Sequence, residues 1–459
     1  MKKIISLLSL TLLLSANDAT NNGLSLDEAL NILKTQNLEI KAAKLDVESA
    51  KAKEGTVSGM NWGKLTFQQD VARSNDAGNV FGFKLTSREA DFGDFGFADF
   101  TACQSATPPA YCGNILSRQP KDLNYPGYRT FFQSKLKYEL PLFTGFAISS
   151  YTKIMHEMQQ IKSLDKDKIT TEKTYELRKS YYDMALLDSS IKNLNKIMDN
   201  IHTLENTTKA MIDVGYAKHV DLLEVQAKEG NVQRLLVQMK ANKKLLYHYI
   251  SFLLNKKVTA IVPPQNDVPM PKFSDEEILN RNVDIKKATT ALKIRQSMIN
   301  ATEAGYYPTV GAFGEVATAD DTFLGDANDH KAYSVGARLT WNIFNGGIDH
   351  AKIEKSKIEK LKMEDKVALA KKGIALKIAK IRTAIETKDV EITSLKKELA
   401  LANAIYANYE GRYKEKLVSM SDVIIKQSAQ IQKIMQLQVA KNKRIEKIFE
   451  LEKLANGEK

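Results

Sequence analysis

The sequence predicts a membrane α+β fold written twice in one chain, with short alternating segments feeding very long, unbroken helices. Three observations carry this. The first is an internal repeat. Leu140-Pro141-Leu142-Phe143-Thr144-Gly145 recurs as Trp341-Asn342-Ile343-Phe344-Asn345-Gly346, and Val220-Asp221-Leu222-Leu223 recurs as Ser421-Asp422-Val423-Ile424. Both pairs are offset by 201 positions (344 − 143 and 422 − 221). A constant offset across that distance suits packed helices, because loops tolerate length changes and helices in a core do not. The second is the absence of both Pro and Gly from Phe146 to Val214. At ~1.5 Å per residue that stretch makes a rod of roughly 100 Å. The third is a set of four short runs with period two, the pattern of strands with one apolar face.

From the start, Met1-Lys2-Lys3 is basic and Ile4 to Leu14 is apolar, followed by the small pair Ser15-Ala16. Residues 1–16 read as a secretory signal peptide, too short to remain as a membrane-spanning helix. No later run of about 18 apolar residues occurs, so any membrane contact of the mature chain is expected through β-strands. The chain carries a formal net charge of +12, with 27% charged and 8% aromatic residues. Its lysines alternate with acids, as in Lys352 to Lys360, which reads as solvated helix faces and not as a nucleic-acid surface.

Repeat one, residues 17–262, opens with a helix capped by Ser25 that runs from Asp27 to about Lys53. Repeat two, residues 274–459, opens behind Ser274. Here the offset is 245 (282 − 37, from Asn37 to Asn282), so repeat one carries 44 extra residues (245 − 201). They fall in a loop of about 73–130 that holds Cys103 and Cys112. After export, these two are expected to form a local disulfide.

Strands are expected at about 64–72, 131–143, 309–317 and 333–344. On the last of them, Tyr333, Val335, Ala337, Leu339 and Trp341 share one face. On its counterpart the apolar face is Phe132, Leu136, Tyr138 and Leu140. Apolar-out, polar-in alternation with aromatic ends is the pattern of a membrane barrel strand, so these residues are expected to face lipid. The rods follow at 146–255 and 348–454. Leu187, Ile191, Leu194, Met198 and Ile201 are spaced as a coiled-coil seam. The rods fold back into hairpins at tips near 214–219 and 415–420. A Pro-rich linker, 263–273, joins the repeats.

Four strands cannot close a barrel, and lipid does not tolerate two open sheet edges. Three chains supply twelve (3 × 4 = 12), enough for a lumen. A homotrimer is therefore expected.

At this point the chain resembles the TolC-type outer-membrane efflux protein family. The resemblance rests on the two repeats, the strand pair ending Leu142-Phe143-Thr144-Gly145 (Ile343-Phe344-Asn345-Gly346 in the copy), and the tip segment from Gly215 to Asp221-Leu222-Leu223. It implies a trimeric 12-strand transmembrane β-barrel in outer-membrane lipid, continued by a 12-helix periplasmic α-barrel. It implies docking onto a periplasmic adaptor protein and an inner-membrane pump, with substrates passing from pump to exterior in efflux or type I secretion. Through it, Asp422 matches an acidic ring at the periplasmic entrance and Tyr413 a residue that holds the entrance closed.

Ser419 and Asp422 also form a capping box, and Asp221 sits in a first helical turn, so helix capping stands beside the pore role. The family's second acidic position is Ile425 here, its basic gate position is Val418, and Lys416 stands opposite Gly215. The reversals Val214-Gly215-Tyr216 and Glu415-Lys416-Leu417 are the expected docking tips. No phosphate loop, nucleophile–base pair or metal-ligand set is legible, so neither catalysis nor a cofactor is expected. A periplasmic coiled-coil adaptor or scaffold that never enters a bilayer remains the alternative.

Overall fold

The computed structural model describes residues 23–264 and 267–457; the expected signal peptide lies outside them. The chain runs α1 (Leu26–Gln36), α2 (Leu38–Ser58), β1 (Lys64–Ser74), α3 (Ala77–Thr86), α4 (Phe97–Ala102), α5 (Lys121–Asn124), β2 (Arg129–Phe143), α6 (Ala147–Asp213) and α7 (His219–Leu254). It continues through α8 (Asp275–Arg281), α9 (Val283–Glu303), β3 (Thr309–Asp320), β4 (Lys331–Thr340), α10 (Ile348–Lys414) and α11 (Met420–Leu454). Among the described residues no helix is long and apolar enough to cross a membrane.

The internal repeat is visible in the helix bounds. The rods α6 and α10 are both 67 residues long, and α10 starts and ends 201 positions after α6 (348 − 147 and 414 − 213). α6 holds neither Pro nor Gly, and α10 holds no Pro and only Gly373 and Gly411, so neither rod meets a strong internal breaker. Each rod ends in the same way, at a residue with positive φ: Gly215 at +82° and Lys416 at +63°. The amide of Tyr216 reaches back to Met211 O at 2.8 Å, and that of Leu417 to Arg412 O at 2.9 Å. These bonds satisfy carbonyls that the helix end would leave open.

Two compact units are distinguished. The first comprises the described residues up to Val47, Ile161–Thr289, and those from Lys366 onward. Its interior is a series of apolar clusters along the helices. One gathers Leu194, Met198, Ile201, Val232, Leu236 and Val423. Another joins Ile378, Ile381, Ile385, Ile448 and Phe449. A third joins Leu33, Ile40, Leu177, Tyr181, Ile250 and Leu253.

The opening helix differs from the sequence reading, because it breaks at Asn37 into α1 and α2. The break is caused by the side chain. Asn37 Oδ1 accepts the Ile40 N–H at 3.0 Å and so starts a new helix, while Nδ2 donates to the Leu253 carbonyl at 2.8 Å at the end of α7. Repeat two does the same between α8 and α9. Asn282 accepts from Ile285 N–H at 3.1 Å and donates to the Leu454 carbonyl at 3.0 Å.

The second unit is formed by Glu48–Gln160 and Thr290–Asp365. It holds an antiparallel sheet in the order β1-β2-β3-β4. Pro141 lies in β2 beyond Lys64↔Glu139, the last pair with β1, and a register shift between Pro141 and Phe143 absorbs its missing donor. β4 ends at Thr340, short of the expected 344. Its last pair is Thr309↔Thr340, and Pro308, just before β3, has no N–H to extend the ladder. The expected loop of repeat one contains helices α3, α4 and α5. Asp76 caps α3 by accepting the Asn79 N–H at 3.0 Å. Cys103 and Cys112 are joined by a disulfide with their Cα atoms 5.4 Å apart.

Candidate functional site

Two surfaces concentrate the expected functional residues: one face of the sheet, and the pair of helical reversals. On the sheet, register decides the face. Leu65 pairs with Tyr138, Phe67 with Leu136 and Val71 with Phe132. Leu136 then pairs with Val316 and Leu140 with Ala312, and Val316 pairs with Tyr333 and Val310 with Leu339. Directly paired residues point to the same side of a sheet, so these form one apolar surface across all four strands. Most of it is open: Tyr333 is 83% exposed, Val335 79%, Leu339 65% and Phe67 64%. Leu136 and Tyr138 are exposed too, while Phe132 and Leu140 are half-buried. Continuous apolar surface of this kind needs cover or lipid.

Leu65, Phe67, Val71, Val310 and Val316 belong to the same face but escaped the sequence reading. Gln69 and Thr318 interrupt the alternation on β1 and β3, and only pairing reveals the face as continuous. The opposite face carries Lys64, Gln68, Lys135, Lys137, Glu139, Glu315, Ser334 and Arg338. Lys135 pairs with Asp70 at 3.7 Å and Lys137 with Glu139 at 2.8 Å.

Near the helix-proximal end of the strands, aromatic residues lie where chain leaves sheet. Trp341, one residue past β4, donates its indole N–H to the Tyr306 carbonyl at 3.1 Å, and Tyr138 donates its hydroxyl to the Trp62 carbonyl at 2.7 Å. Amphipathic rings with a fixed polar end suit a membrane–water boundary.

At the reversals, Val214, Gly215, Tyr216, Glu415, Lys416 and Leu417 are all exposed. The two turns meet each other. The Lys416 ammonium lies over the Tyr216 ring, 3.0 Å from its centroid. Asp422 forms the capping box. Its carboxylate accepts the Ser419 hydroxyl at 2.6 Å and the Ser419 N–H at 3.1 Å, and the Asp422 N–H returns to Ser419 Oγ at 3.2 Å. Those bonds, the hydroxyl's first, hold its carboxyl below the usual carboxylate range. Asp221 accepts the Lys218 N–H at 2.8 Å. Both aspartates thus cap helices within the chain.

Tyr413 is buried, at 5% exposure, in the cluster with Leu204, Met420 and Val423. Its hydroxyl lies 3.4 Å from Thr208 Oγ1, and burial pushes its phenol up. It ties the end of α10 to α6.

Residues 276–457 match the family model for outer membrane efflux proteins. No curated protein matches the chain by sequence. Among solved structures, CusC superposes with a TM-score of 0.77 at 12% identity, covering 94% of this chain and 92% of its own. The open state of the MtrE outer membrane channel of Neisseria gonorrhoeae gives 0.73 at 13% identity, covering 94% and 89%. The CmeC outer membrane channel of Campylobacter jejuni gives 0.72 at 13% identity, covering 97% and 90%. The second repeat is thus similar to the outer membrane efflux protein family, and the chain as a whole has the fold of TolC-type channels.

Proposed function

We propose that the protein is a passive outer-membrane exit channel, serving an inner-membrane pump through a periplasmic adaptor in efflux or type I secretion. The carrying observation is the four-stranded sheet with one exposed apolar face, a charged opposite face and two unpaired edges, β1 and β4. A sheet like this is stable in lipid only when its edges are closed by other copies. Three copies close a twelve-stranded barrel, with the face of Tyr333, Val335 and Leu339 toward lipid and that of Lys137 and Arg338 toward the lumen. Mature repeat one extends from residue 17, and the protein acts without catalysis.

The exposed reversals are the docking surface for the adaptor or pump, because Val214, Tyr216 and Leu417 offer apolar side chains beside charged ones. In the trimer, three copies of Asp422 encircle the entrance, where concentrated negative charge favours cations. The Tyr413–Thr208 contact and the Lys416–Tyr216 contact hold the entrance in its resting arrangement.

The test is biochemical. Membranes are fractionated, and the protein is run on gels with and without heating. Heat-modifiable trimers in the outer-membrane fraction that conduct ions in planar bilayers support the channel. A soluble monomer without conductance overturns it in favour of a scaffold. Within a conducting trimer, Asp422→Asn should lower cation selectivity with assembly intact; unchanged selectivity leaves Asp422 as a helix cap alone.

A further inference from the structure

One cluster of side chains at the loop end of the sheet has no part in the channel reading. Glu89 follows α3 in the insertion of repeat one, Asp320 ends β3, and His330 closes the β3–β4 turn. Antiparallel pairing brings them to the same end: Ser74 pairs with Arg129, Phe132 with Asp320, and Thr318 with Lys331. One carboxylate oxygen from each acid and one imidazole nitrogen lie within 4.8 Å of one another.

The turn is built around Asp320. Its Oδ1 accepts the Asp321 N–H at 2.6 Å and its Oδ2 the Asp326 N–H at 2.6 Å. The backbone wraps so closely that a Cβ at Gly325 would lie 2.0 Å from Asp320 Oδ2. Only glycine permits that approach. The side chains of Asp320 and His330 keep just 10% and 12% exposure.

His330 Nδ1 sits 3.6 Å from Asp320 Oδ2, beyond hydrogen-bond range, and it is closed to solvent with no hydrogen-bond partner among the described residues. Buried polar atoms are normally paired, so an imidazole nitrogen left open toward two carboxylates marks a place for something that binds nitrogen and oxygen together. Arg129 is also present, paired with Glu89. Two carboxylates against one guanidinium leave the cluster with a net negative charge when the imidazole is neutral.

We propose that Glu89, Asp320 and His330 bind a divalent transition-metal cation of the zinc class. One imidazole nitrogen with carboxylate oxygens is a donor set this metal accepts, at ~2.0–2.2 Å per ligand. The three groups need only draw inward, and a fourth position stays open to water. Glu89 uses the carboxylate oxygen not engaged by Arg129. Neutral His330 offers the lone pair of Nδ1, with its proton on Nε2. The bound cation staples the insertion of repeat one to the β3–β4 turn of repeat two. The site does not depend on the channel reading.

A second group, His202, Glu205 and Glu229, lies on α6 and α7. There Glu205 is already engaged by Lys209 at 3.0 Å and Gln226 at 3.3 Å, and His202 is exposed. It serves as an internal control.

The experiment uses the full chain in detergent, stripped with chelator and titrated with Zn²⁺ alone. Wild type should take up one more equivalent per chain than His330→Ala, and Glu89→Gln should weaken that binding at least tenfold. His202→Ala should retain it. Crystals soaked in Zn²⁺ should show an anomalous peak between the three side chains, an observation that stands even if His330→Ala fails to assemble. Equal uptake by wild type and His330→Ala, or an anomalous peak at His202 alone, overturns the proposal.

Discussion

The two repeats agree where helices pack and diverge where the chain turns. Rods α6 and α10 have the same length, and buried Asn37 and Asn282 make the same pair of hydrogen bonds at the start of each repeat. The connections between strands do not agree: residues 75–128 in repeat one against 321–330 in repeat two. That is 54 residues against 10, and the difference of 44 is the insertion. A residue added inside a rod would rotate every later side chain by about 100°, so its length is fixed by its seam. A residue added to a connection at the free end of a sheet disturbs nothing downstream.

Substitutions on the sheet should sharpen this contrast most. Under the lipid-face reading, Val335→Arg in repeat two and Phe67→Arg in repeat one should both prevent outer-membrane assembly. A cation near the bilayer midplane costs about 2–4 kcal/mol per chain. Ser334→Arg, on the opposite face, should assemble. Trp341→Arg should be milder than Val335→Arg, because Trp341 lies past the strand with its indole tied to Tyr306. Equal yields of trimer from Val335→Arg and Ser334→Arg on unheated gels would reverse the assignment of faces.

The buried asparagines test whether the repeats are energetically alike. Asn37→Ala and Asn282→Ala each leave buried backbone groups unpaired, at about 1–3 kcal/mol. Thermal unfolding in detergent should show both variants destabilised to a similar degree. A large cost at one position only would mean that the two repeats share a pattern without sharing its weight.

The tips should behave asymmetrically. Gly215→Ala places a Cβ at positive φ and should cost about 1–2 kcal/mol. Lys416 already bears that strain, so Lys416→Gly relieves it while losing the contact with Tyr216, worth about 0.5–1 kcal/mol at an exposed site. The two effects nearly cancel. A double-mutant cycle between Lys416→Gly and Tyr216→Ala in chemical denaturation should recover the contact energy, and zero coupling would remove the contact.

The smallest effect concerns acid. The Asp422 carboxyl is held below its ordinary value of 3.8, so its capping bonds stabilise the helix start above that pH and are lost as pH falls through the lower folded value. The difference in unfolding temperature between wild type and Ser419→Ala should therefore shrink only below pH 3.8. A difference that vanishes nearer neutrality would assign the cap to another group.

Much of this was legible because it is periodic. The strands, the rods and the reversals each follow from alternation, from missing Pro and Gly, or from one constant offset. In the sequence Asn37 reads as part of a helix, since nothing local distinguishes an asparagine that interrupts a helix from one on its surface. The partner carbonyl of Leu253 lies 216 positions away. Phe67 and Val316 gained a face only once register was known. Glu89 and His330 are 241 positions apart (330 − 89), and only the pairing of the four strands brings them to one end of the sheet. Tyr413 was singled out by resemblance; its burial against Thr208 required the structure.

The sheet's two free edges come from different repeats, β1 from the first and β4 from the second. A ring made by joining one copy's β4 to the next copy's β1 is head-to-tail, so each subunit carries two unlike connectors. A copy damaged at β4 alone can still accept a neighbour on β1, and it then ends the ring instead of leaving it. In a ring of this kind such a variant would poison assembly. Co-expressed in equal amount with the intact chain, it would leave only about one-eighth of three-membered rings free of it, under random mixing. In such a ring the asymmetry of one small sheet would make a recessive-looking lesion dominant.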